Sequence, residues 1–146
     1  MKVYSQHQTP AGTNLTILAL ESTAAYRPAV NHVILGSDAT PANLAGEFIL
    51  AATTTDGITP ATSPAEVISD QVGTATVNAA GGTFVTEPVY GAIFLMIPLN
   101  QQATWQWWAN PGFEPTALAG AAAGISLRSV GHGGTPNMNC TMAWSE

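Results

Sequence analysis

The stretch that decides the fold is Asn137-Met138-Asn139-Cys140-Thr141-Met142-Ala143-Trp144-Ser145. Met138, Cys140, Met142 and Trp144 recur at every second position, with Asn137, Asn139, Thr141, Ala143 and Ser145 between them. A helix would scatter the four apolar residues around its circumference. A strand gathers them on one face. The segment therefore reads as a β-strand with that face in a core.

Working outward, the same grammar recurs. Residues 14–21, 30–36, 46–53, 90–99, 103–109 and 125–130 are short runs rich in Thr, Val, Ile and aromatics, and residues 73–78 form a weaker run that suits a sheet edge. Between them stand Asp38 and Pro41, Asp56-Gly57, Asn110-Pro111-Gly112 and Gly131-His132-Gly133-Gly134, residue types that turns require. Residues 59–64 resemble an extended polyproline-like connector, and residues 117–124 are Ala/Gly-rich, open to a short helix or a loop. The run 90–99 is apolar on both faces, with Tyr90, Ala92, Phe94 and Met96 against Ile93, Leu95, Ile97 and Leu99. That predicts a strand that is central or covered on both sides. The expectation is an all-β chain: a two-sheet antiparallel β-sandwich of jelly-roll or Greek-key type, with about eight strands and long loops. Residues 1–146 make one domain.

Composition narrows the partners. Of 146 residues, 46% are hydrophobic and 8% charged, against ~25% charged in an ordinary soluble domain. Disorder needs the reverse balance, and so weakly charged a surface suits a protein that meets copies of itself. Lys2, Arg27 and Arg128 face nine carboxylates, for a formal charge of −6. Three scattered cations cannot neutralise a phosphate backbone or hold an anionic lipid surface, so neither nucleic acid nor membrane is an expected partner. The opening Met1-Lys2-Val3-Tyr4-Ser5-Gln6 has no apolar core of a secretory signal, and the apolar run 92–98 falls far short of the ~20 residues of a membrane-spanning helix. A single cysteine, Cys140, permits no internal disulfide and fits synthesis in a reducing cytoplasm.

Chemistry is sparse. A nucleophile elbow, phosphate-binding glycine motifs and an alternating acidic calcium loop are all missing from the sequence. His7, His32 and His132 stand far apart, and the carboxylates Glu21, Asp38, Glu47, Asp56, Glu66, Asp70, Glu87, Glu114 and Glu146 are spread singly, so no spacing promotes a catalytic pair or a metal set. We assign no catalytic residue, no cofactor and no metal. Cys140, on the apolar strand face, reads as a buried, inert thiol. Trp105, Trp107 and Trp108 form one conspicuous cluster. As a strand it puts Trp105 and Trp107 on one face and Trp108 on the other: core residues with Trp108 at a sheet edge, an interface anchor, or a sugar-stacking platform.

Three segments taken together carry a resemblance. They are Arg27-Pro28-Ala29 leading into Leu35-Gly36-Ser37-Asp38-Ala39-Thr40-Pro41-Ala42, then Thr53-Thr54-Thr55-Asp56-Gly57, then Pro98-Leu99-Asn100-Gln101-Gln102-Ala103-Thr104-Trp105 running to Pro111-Gly112. With the closing Trp144-Ser145-Glu146, the chain resembles small structural proteins of tailed-phage virions, also found in prophage regions. Gln102 stands where that pattern carries arginine, so this loop brings no charge to a contact. The resemblance implies a capsid decoration, or cement, protein with no catalytic residues. It would be made in the host bacterial cytoplasm and sit on the capsid surface of the virion. Its expected partners are itself, as a homotrimer, and the major capsid protein. Tyr90, Phe94, Asn100, Gln101, Gln102 and Trp108 are the candidate interface residues. The alternatives are a tail or head–tail connector protein and, from another class, a carbohydrate-binding β-sandwich module that uses the tryptophans.

Overall fold

A computed structural model describes residues 2–8, 15–37, 41–57, 66–67, 78–81, 84–132 and 137–146. The described residues form strands, bridges and turns with no helix. The ten strands are β1 (Lys2–Gln8), β2 (Leu15–Glu21), β3 (Ala29–Ser37), β4 (Ala45–Thr55), β5 (Glu66–Val67), β6 (Asn78–Gly81), β7 (Val89–Asn100), β8 (Trp105–Trp108), β9 (Gly124–His132) and β10 (Met138–Ser145). They make two antiparallel sheets, ordered β5-β1-β10-β3-β8 and β6-β2-β9-β4-β7. One large cluster of buried side chains takes Val33, Leu35, Met138 and Trp144 from the first sheet and Leu18, Leu50, Ile97 and Leu127 from the second, so the sheets face each other across a shared core.

The deciding stretch behaves as read. Met138, Cys140, Met142 and Trp144 of β10 are all at most 1% exposed. The strand lies inside its sheet, bonded to β1 from Lys2↔Trp144 to Gln8↔Met138 and to β3 from Met138↔Ser37 to Ser145↔Ala29. The described residues hold ten strands against the expected eight or so because β1 and β5 carry no sequence signal of their own: each is strand by virtue of the hydrogen-bonding edge beside it. Of the weak edge strand expected at 73–78 only Asn78 is described, as the first residue of β6 at the sheet edge; residues 73–77, the connector at 59–64 and Gly133-Gly134 lie outside the described residues. The Ala/Gly-rich stretch 117–124 is bend and turn up to the start of β9. Gly124 is obligatory there, since a Cβ would stand 2.2 Å from the Leu20 carbonyl oxygen.

One expectation is corrected. β7 is an edge strand, neither central nor covered on both sides. Its lower half alternates cleanly, with Ile97 and Leu99 buried and Met96 and Pro98 exposed. Bulges then break the register, because Leu95 pairs with Leu50 and Ile93 with Ala51, leaving Phe94 unpaired. Phe94 and Leu95 both turn onto the core while Ile93 is 52% exposed. The extra residue is what moves these side chains off the simple two-residue alternation.

Candidate functional site

Tyr90 starts the exposed edge but is tied into its own chain. Thr16, on the outer face of β2, donates both its backbone N–H (2.9 Å) and its hydroxyl (2.5 Å) to the same Glu87 carboxylate oxygen. Since that hydroxyl has one hydrogen, the Tyr90 hydroxyl must donate to Thr16 Oγ1, with which it is in contact. The Arg128 guanidinium lies 3.8 Å from the Tyr90 ring centroid, a cation–π contact. From β7 the phenol thus reaches β2, crossing β4 and β9. Burial, with the nearby Glu87 charge adding to it, holds the phenol above its ordinary titration range. Thr16, Ser126 and Ala51, on the outer side of this sheet, are buried.

Farther along and beside this strap the surface is open. Val89, Ile93 and Met96 are 55%, 52% and 65% exposed on the edge strand. An apolar edge strand that the described residues leave unpaired on its outer side is a template for another chain.

The Asn100-Gln101-Gln102 turn is a clasp. Gln101 is only 4% exposed. Its backbone N–H donates to Leu44 O (3.0 Å), its carbonyl accepts from Ser37 Oγ (2.6 Å) and its side-chain oxygen accepts from the Ala42 N–H (3.2 Å). Asn100 Nδ2 donates to Asn43 Oδ1 at 2.8 Å, and Asn100 Oδ1 accepts from the Gln102 N–H at 2.9 Å. Two of the segments that carry the resemblance are therefore stitched together here. Gln101 is spent on that junction, whereas the side chains of Asn100 and Gln102 are at the surface. Among the six candidate interface residues, Gln101 and Phe94 are turned inward, Tyr90 is half-buried in the strap, and Asn100, Gln102 and Trp108 are exposed.

The tryptophans divide as the strand period requires. Trp105 and Trp107 pack against the core, and Trp108 is 58% exposed on the other face. Trp108 is the register partner of His32, and their rings stack with centroids 3.6 Å apart and planes 6° from parallel. Gln106 Nε2 lies 3.0 Å from His32 Nε2. An amide nitrogen only donates, so the imidazole accepts at Nε2 and keeps its proton on Nδ1. Burial lowers the His32 pKa, which favours this neutral form.

Two features had no sequence signal. Glu21, at the end of β2, and Asp56, after β4, are brought close enough that burial, chiefly, and the Asp56 charge raise the Glu21 pKa, and burial raises that of Asp56. The His32–Trp108 stack joins residues distant in sequence. Cys140 is fully buried, its thiol held well above the ordinary range by burial. Among the described residues, no group of three His, Cys, Asp or Glu is placed to hold a metal ion, and no helix is long and apolar enough to cross a membrane. No protein-family model, no curated protein and no solved structure matches the chain.

Proposed function

We propose that this chain is a non-enzymatic capsid decoration protein of a tailed phage. It assembles as a homotrimer and binds the outside of the major capsid lattice, where it stabilises the head. The observation that carries the reading is the open edge of β7. Val89, Ile93 and Met96 leave an apolar strip along a strand whose outer hydrogen-bonding edge pairs with no other strand among the described residues. In a chain with so few charges, self-association is the economical way to cover it, since desolvating ion pairs returns little at an interface. Rotational symmetry would place that strip against a neighbour in each copy.

Strand order supports the finer description of the fold. Setting aside the short edge strands β5 and β6, the sheets read β1-β10-β3-β8 and β2-β9-β4-β7. Successive strands alternate between sheets except where β7 follows β4, the order of a jelly roll. The phage assignment draws on the segments around Arg27, Ser37, Thr55 and Gln101. Two of them meet in the Gln101 clasp, and Arg27 Nε donates to Ala117 O at 2.6 Å in a second loop junction. The motif residues would then preserve loop geometry rather than reach a partner. Mechanically, such a protein bridges neighbouring capsomers through apolar contacts and neutral hydrogen bonds. Light scattering on the purified chain tests the assembly half of the reading: a multiple of 15.0 kDa is expected, and a monomer at micromolar concentration refutes it.

A further inference from the structure

We propose that the outer face of β8, β3 and β10 carries a site for a neutral saccharide, with the free face of Trp108 as its stacking platform. This goes beyond capsid attachment and does not depend on it.

The platform is a single ring. Trp105 and Trp107 are committed to the core, which removes the three-tryptophan surface that the sequence suggests. Trp108 gains instead what a lone exposed ring lacks: a fixed orientation. The His32 imidazole lies parallel to it at 3.6 Å, and His32 is in turn held by Gln106 at 3.0 Å. One indole face is covered and the other is presented to solvent. An exposed aromatic held by a supporting layer loses little freedom when it binds, and that preorganisation favours a weak stacking ligand.

The surroundings select the chemistry. Gln106 on β8 and Ile34 on the neighbouring β3 share the outward face of the ring, Asn139, Thr141 and Ser145 lie on the same face one strand farther across on β10, and none of these five is charged. Asn31 Nδ2 donates to Ser145 Oγ at 3.3 Å, so amide and hydroxyl groups stand beside the stack. A nucleotide would also stack, but its phosphates need cations, and the outward positions named here supply none. A pyranose fits both halves: its C–H face is apolar and covers an indole, and its equatorial hydroxyls meet amide and hydroxyl partners at the rim.

The test is an array of neutral glycans followed by calorimetry with cellohexaose, laminarihexaose, xylohexaose and chitohexaose, using the full chain. Trp108→Ala, Trp108→Phe and Gln106→Ala are compared, with circular dichroism to establish that each is folded. Binding of at least one neutral glycan is expected, weakened roughly tenfold or more by Trp108→Ala, which is ~1.4 kcal/mol or more, and largely restored by Trp108→Phe. The proposal is overturned if no neutral glycan binds, or if Trp108→Ala binds as the wild type does. It is equally overturned if Trp108→Ala changes only self-association or attachment to particles, which would make the ring a protein contact.

Discussion

Replacing both Ile93 and Met96 by lysine should dissociate the proposed homotrimer without unfolding the subunit. Both side chains project from edge strand β7 and are 52% and 65% exposed. Fully burying such a side chain is worth ~1.5–3 kcal/mol. The two exposed portions together amount to slightly more than one side chain, so covering them in an interface contributes ~2–3 kcal/mol. Losing that contribution raises the dissociation constant roughly 30- to 150-fold, at ~1.4 kcal/mol per decade. Two ammonium groups add a desolvation penalty, so this range is a floor. Lysines on an exposed edge strand are also how natural sheets discourage edge-to-edge pairing. Sedimentation equilibrium over a concentration series, with circular dichroism as the folding control, measures the effect. A folded double variant that associates as tightly as the wild type would place the interface elsewhere and refute the reasoning.

Three further outcomes are expected. Deleting residues 137–146 removes the strand that joins β1 to β3 together with fully buried Trp144; losing that side chain alone costs ~3–5 kcal/mol, a large share of the ~5–15 kcal/mol that holds a domain, so the truncated chain should be insoluble, and soluble, folded expression would contradict the role given to β10. Glu21 has its pKa raised, by burial first and Asp56 second; the folded state therefore holds the proton more tightly than the unfolded state, and the associated stability is present below the unfolded value and lost as pH rises through the folded one. Glu21→Gln should then raise the melting temperature at pH 7, with the gain shrinking toward pH 4 in thermal melts, and a gain that grows on acidification would reverse the assignment. Attachment to phage particles should survive 1 M salt, where the Debye length falls to ~3 Å, and weaken in urea, which solvates apolar and peptide groups; release of the protein by salt from intact shells, seen by sedimentation, would mean that charge governs the contact.

How much of this was legible in the sequence varies from element to element. β10 was plain because Met138, Cys140, Met142 and Trp144 alternate without a break, and alternation is a local signal. β1 was invisible, since Lys2-Val3-Tyr4-Ser5-Gln6-His7-Gln8 lacks such a pattern and pairs because β10 offers it an edge. The apolar character of β7 was read correctly, but its position was not. Two apolar faces say that a strand will be covered, and cannot say whether its own chain does the covering. The bulge at Phe94 then changed which residues stay outside, an effect of β4 pairing that no window of β7 contains. Trp108 was placed on the outer face by strand period, while His32 behind it and the Asp56 beside Glu21 are tertiary neighbours. Gln101 misled because a polar side chain in a turn reads as surface, yet its hydrogen bonds to Ala42, Leu44 and Ser37 make it a buried joint.

The most direct test of the proposed capsid role is cryo-electron microscopy of phage particles assembled in the presence of this chain, at a resolution that distinguishes two packed β-sheets. The account predicts density for this fold on the outside of the head, repeated around the capsid lattice at junctions between major capsid subunits, with β7 of one copy facing the next. Density confined to the tail or to the head–tail connector, or a capsid lattice bare of this chain, would contradict it.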